Sequence, residues 1–95
     1  MHGYAKDKDL LVKRLHRIEG QVRGIERMVE DDRYCIDILT QIAAVKTALE
    51  QVGARLLEDH VTHCVRDALA SGDEQEAEAK LAELLDAVQR FLKTR

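Results

Sequence analysis

The stretch 11–29, LVKRLHRIEGQVRGIERMV, decides the fold class. Its apolar residues Leu11, Leu15, Ile18, Val22, Ile25 and Val29 alternate steps of four and three. That period lays a single stripe along one side of an α-helix and fits no strand. It predicts a helix over about residues 7–30. Gly20 and Gly24 interrupt the stripe, and each costs about 1 kcal/mol of helix propensity relative to Ala. Their spacing puts them on one face, which suits close approach of another helix or of DNA.

A second stripe runs Leu39, Ile42, Val45, Leu49, Val52 and Leu56 and continues to His60 and Cys64. The segment between the stripes, Glu30-Asp31-Asp32-Arg33, is polar, and Asp31 or Asp32 suits the cap of the next helix. The second helix spans about residues 33–70 and stops at Ser71-Gly72, with Gly72 as the residue just past its end. Gly53 is its one weak point for a bend. Asp73 followed by Glu76 reads as a capping box that opens a third helix, about residues 74–93. Leu81, Leu84, Leu85, Val88 and Leu92 line the face it is expected to bury.

The chain has no proline, so nothing forces a break inside these helices. Its 95 residues make one small domain, residues 1–95. Tyr4, Tyr34 and Phe91 are its aromatic residues, which leaves Leu, Ile, Val and Ala to build the core. A helix of about 35 residues is far longer than the usual 8–20 and implies a bundle or an oligomer. The expected fold is therefore all-α: a three-helix protomer whose two long helices pair with a second protomer. The product is an antiparallel four-helix bundle with the short third helix outside it.

No run of about 18 apolar residues occurs, so no transmembrane helix is expected and no membrane partner. No signal-peptide pattern opens the chain, and its two cysteines read as thiols in a reducing cytoplasm. Net charge is only −3, but it is unevenly placed. Residues 4–27 carry seven Lys and Arg against four acids, a balance of +3. Residues 56–90 carry three against nine, a balance of −6. One end can therefore face phosphates; a solvated helix face is the plain alternative.

Cys35, His60 and Cys64 carry the chemistry. His60 and Cys64 are four apart and share a helix face. Cys35 lies 25 residues before His60, about 37 Å away along a continuous helix. One protomer then cannot close a three-donor site. Two antiparallel protomers can, each giving Cys35 to the other's His60 and Cys64. Two thiolates and an imidazole suit Cu(I) or Zn(II). His63 adjoins Cys64 but points about 100° away around the helix. His16 has no partner at ligand spacing, and His2 joins only if the N-terminus reaches the site. Taken singly, Cys35 reads as a small apolar residue and His60 as an ordinary polar one.

Catalysis is a poor reading. A Cys–His pair can make a nucleophile, but no Gly-rich oxyanion turn and no orienting Asn accompany it. No enzyme activity and no small-molecule substrate are expected. Phosphate-binding glycine motifs and CxxC zinc spacing do not occur either. Arg14, Arg17 and Gln21 share one face of the first helix, flanked by Lys13, and Lys46 projects from the second. Repeated in an oligomer, they form a basic surface able to track a DNA backbone. No helix-turn-helix, zinc finger or ribbon reader is recognisable.

Three stretches together resemble the copper-sensitive operon repressors (CsoR), within a wider group of nickel/cobalt, formaldehyde and persulfide sensors. They are RLHRIEGQVRGI at 14–25, YCIDILTQIAAV at 34–45 and HVTHC at 60–64. The likeness covers nearly the whole chain. It implies an all-helical protein, dimers paired into tetramers, and operator DNA bound without a helix-turn-helix. It implies Cu(I) held by Cys35 of one protomer and by His60 and Cys64 of its neighbour. It also implies that Tyr34 and Glu83 connect that site to the third helix, and that Arg14 and Lys46 contact DNA. Nickel/cobalt relatives carry His where Cys64 stands and add an N-terminal His, where this chain has Gly3 beside His2. Some nickel sensors keep the Cys-His-Cys set. Persulfide relatives lack the His60 ligand, and formaldehyde relatives lack the second Cys.

The resulting expectation is a cytoplasmic Cu(I)-responsive repressor that binds its operator without metal and leaves it when copper binds. Alternatives are a nickel or thiol-reactive sensor of the same group, or a copper-buffering protein with no role on DNA.

Overall fold

The computed structural model describes residues 3–93. A short 3₁₀ turn, Ala5–Asp7, leads into α1 (Lys8–Glu30). After a tight turn come α2 (Cys35–Asp59), a π-helical segment (His60–Val65) and α3 (Arg66–Ala70). A second turn leads to α4 (Glu74–Lys93). No strand occurs among the described residues, so the chain is all-α as expected. No helix among them is long and apolar enough to cross a membrane.

Local chemistry explains the ends. Arg33 N–H donates to the Met28 carbonyl at 2.9 Å and Asp32 N–H to that of Val29 at 3.2 Å. This crossed pair is a Schellman closure with Asp32 as the left-handed residue, at φ 55°. Asp31 and Asp32 therefore terminate α1 and, against expectation, do not cap the next helix, which begins only at Cys35. The next helix starts on the Tyr34 carbonyl, which accepts from Asp37 and Ile38. The second turn realises half of the expected capping box: Asp73 caps the helix, while its own N–H donates to Ser71 Oγ at 3.2 Å in place of the Glu76 side chain. Gly72 takes φ 78°, a conformation that glycine adopts without strain. Asp73 Oδ1 accepts from the N–H groups of Gln75 (3.0 Å) and Glu76 (3.2 Å), capping α4.

The chain forms two compact units. The first, Tyr4–Leu57, holds α1 and most of α2. Leu11 and Ile18 of α1 pack with Val45 and Val52 of α2, with Ile25 and Ala48 against them. These positions recur every seven residues, so half of each stripe closes the hairpin. Asp7 accepts a hydrogen bond and ion pair from Arg55 at 2.8 Å, tying the start of α1 to the far part of α2. The other half of each stripe stays outside. Leu15 is 44% exposed, Val29 58% and Leu49 47%, and Val22, Leu39, Ile42 and Leu56 are exposed with them.

The second unit comprises Gly3 and the chain from Glu58 onward. Val65, Ala68 and the acidic Asp59 are buried in it. Here α4 packs on α3 and on the π segment. Two further expectations need correction. The second helix is not uniformly α, because six residues carrying the His-Cys pair widen to i→i+5 bonding. The five apolar residues of α4 do not form a buried face within this chain. Leu84 and Val88 are half-buried, whereas Leu81, Leu85 and Leu92 are exposed. The reason is geometric: α3 has only five residues, too short to cover the apolar side of a 20-residue helix.

Candidate metal centre

His60 opens the π segment and Cys64 is its fifth residue. One turn of i→i+5 backbone takes more than four residues, so positions four apart remain on one side. Both side chains are half-buried, and the Cys64 thiol is free. His63 is also half-buried and belongs to the same turn. His2 lies outside the described residues.

Cys35 is the first residue of α2, exposed and free, in the first unit. Tyr34 precedes it and is 67% exposed. Among the described residues of the single chain, no three or more His, Cys, Asp or Glu side chains gather at one point. Glu83 is an exposed residue of α4, the helix packed on the segment that holds His60 and Cys64.

Two further residues lie beside Cys64: Asp59, which the sequence did not single out, and Gly3, noted there only as the place where nickel/cobalt relatives carry a His. Asp59, the last residue of α2, is buried although acidic. Gly3 is buried against the Asp59 backbone and the Cys64 sulfur. Asp59 carries no sequence signal, because an acid in a polar stretch reads as solvated; at Gly3 the likeness pointed to a missing His ligand and not to close packing on Cys64.

The basic face is assembled within the first unit. Arg14, Arg17 and Gln21 line an open groove of about 300 Å³ together with Ile18, Ala48 and Gln51. Gln51 and Ala48 come from α2, so periodicity within α1 could not reveal them. Glu19, one of the two acids that could neutralise Arg14, is paired with Arg23 at 3.1 Å. Lys46 is exposed on α2, outside the groove lining.

A family model of metal-sensitive transcriptional repressors matches residues 7–90. The copper-sensing transcriptional repressor CsoR of Bacillus subtilis is 55% identical over 93 residues, 98% of this chain and 89% of its own length. The crystal structure of the copper-sensing repressor CsoR with Cu(I) from Geobacillus thermodenitrificans superposes with a TM-score of 0.85. It is 51% identical and covers 93% of this chain and 88% of its own. The nickel-responsive regulator InrS gives a TM-score of 0.75 at 44% identity, covering 87% and 90%.

Proposed function

This chain belongs to the metal-sensitive transcriptional repressors, and from that premise we propose that it is a Cu(I)-responsive repressor of the cytoplasm. The observation that carries the metal is the donor set. His60 and Cys64 stand four apart on one widened turn, and the only other cysteine, Cys35, opens α2. Two thiolates and one imidazole fit a soft monovalent ion such as Cu(I). Cys35 supplies a thiolate from one protomer, and His60 and Cys64 supply the remaining donors from its partner. Tyr34 and Glu83 support the site, and Glu83 links it to α4.

The exposed half of each apolar stripe supports the partner. A hairpin that leaves Leu15, Val22, Leu49 and Leu56 in water finds its natural cover in a second hairpin of the same kind. The result is an antiparallel four-helix bundle, present as a dimer or a pair of dimers. The 95 residues then act as one metal-sensing, DNA-binding domain. Nothing in the donor set calls for a substrate, and the protein works as a regulator, not as an enzyme.

Arg14, Arg17 and Gln21, with Lys46 nearby, hold operator phosphates. Metal binding and DNA binding draw on different shapes of the same oligomer, so each weakens the other by the same factor. Two thiolates favour a soft monovalent ion over Ni(II), although some nickel sensors share the Cys-His-Cys set. The copper-sensing repressors of Bacillus subtilis and Geobacillus thermodenitrificans, at 55% and 51% identity against 44% for the nickel sensor, support the same choice.

The test is anaerobic titration of the operator-bound protein, followed by fluorescence anisotropy. Stoichiometric Cu(I) is expected to weaken operator binding by about tenfold or more, within the usual range of allosteric coupling. Ni(II) and Zn(II) release less. Release by Ni(II) alone selects the nickel reading, and no operator binding at all selects copper buffering. The same assay reads the basic face. Arg14→Ala and Lys46→Ala weaken binding and lower the slope of log affinity against log salt by about 0.9 for each phosphate left without its cation. Arg17→Ala and Gln21→Ala act in the same direction with smaller effect. A lowered melting temperature with an unchanged salt slope for Arg14→Ala contradicts its assignment to DNA.

A further inference from the structure

Gly3 is buried, and the space where its side chain would stand is already taken. A Cβ on Gly3 would lie 2.6 Å from the Asp59 carbonyl oxygen, 3.1 Å from its carbon and 3.0 Å from Cys64 Sγ. The carbonyl belongs to the backbone at the end of α2 and cannot swing aside. The sulfur is at the edge of tolerable contact. Any other residue at position 3 must therefore lift the chain away from this turn. Gly20 and Gly24 make a useful contrast. A Cβ at Gly20 meets only the mobile end of Arg23 at 3.9 Å, and one at Gly24 meets nothing within 4 Å.

We infer that Gly3 is a positioning residue for Cys64: its missing side chain is what seats the N-terminal backbone on the sulfur. Seated there, the backbone at Gly3 covers one side of the thiol and narrows the paths by which solvent or a reagent reaches it. The seat is local and small, so it opens without unfolding the helices. A side chain at position 3 shifts that local equilibrium toward the open form. The consequence reaches the metal through the proposed role of Cys64, and to that extent it rests on the copper reading.

The first measurement needs no metal. In the full chain with Cys35→Ser, Cys64 is the sole thiol, and its alkylation by iodoacetamide is followed by mass spectrometry. Gly3→Ala is expected to speed alkylation about fivefold or more through easier local opening, with Gly3→Val at least as fast. Helical circular dichroism and the melting midpoint should stay as they are in the Cys35→Ser parent. A rate unchanged within about twofold overturns the inference, and so does a faster rate accompanied by loss of helix, since loosening is then general. The second measurement uses the Cu(I)-loaded chain with both cysteines present. Transfer of the ion to a competing chelator should be faster in Gly3→Ala than with Gly3 in place, and an equal rate overturns the link to the metal. Should the native chain hold no Cu(I), the copper reading fails while the alkylation rates still decide the role of Gly3.

Discussion

Cys64→Ala is expected to abolish copper-triggered release from the operator while leaving metal-free DNA binding and helix content intact. The size of the effect follows from ligand chemistry. A soft monovalent ion draws most of its binding energy from thiolates, and the chain has only two cysteines. Removing one leaves a single thiolate and an imidazole. Cys35→Ala should behave alike, although the two residues sit in different units and different surroundings. Each is a small side chain and neither is fully buried, so truncation removes little packing. His60→Ala keeps both thiolates, and it should lose regulation more than affinity. Full-affinity Cu(I) binding by Cys64→Ala or Cys35→Ala, measured by chelator competition, contradicts the donor assignment.

Mixing two defective proteins is expected to restore a complete site. One parent carries Cys35→Ala and the other His60→Ala with Cys64→Ala. Neither homodimer has three donors at any one site. After subunit exchange, a heterodimer has Cys35 on one chain facing His60 and Cys64 on the other, which completes one of its two sites. Tight three-coordinate Cu(I) binding, read by X-ray absorption and chelator competition, should reappear in purified heterodimers and in neither parent. Its failure to reappear in verified heterodimers means that the donors do not come from two chains.

The elements of the fold were legible because apolar spacing and end chemistry agreed. The stripe of α1 put Leu11 and Ile18 into the core, and that of α2 did the same for Val45 and Val52. Gly72 takes the left-handed conformation open to a residue without a side chain, and Asp73 caps the helix that follows. The stripes could not reveal which half closes the protomer and which stays exposed. That division depends on packing between helices, so Leu15 and Leu49 looked no different from Ile18 and Val52. The same blindness turned Leu81, Leu85 and Leu92 into an expected buried face. The π segment was invisible for another reason: without Pro or Gly at 60–65, nothing in composition distinguishes i→i+5 from i→i+4 bonding.

At the candidate site, the donors stood out by residue type and spacing, and the family likeness that they suggested is borne out by the family model and the curated relatives. Their setting did not stand out. Asp59 is buried although the stretch around it is polar, and Gly3 acts through a side chain it does not have. Gln51 joins Arg14 and Arg17 across two helices, a distance in sequence that no periodicity spans.

The central claim is that one oligomer balances Cu(I) against DNA, and the direct measurement is Cu(I) affinity with and without operator. Chelator competition under anaerobic conditions gives both values on the same preparation. The operator-bound protein should bind Cu(I) more weakly than the free protein, by the same factor with which Cu(I) weakens operator binding. Equal Cu(I) affinity in the two states, with operator occupancy verified, contradicts the account.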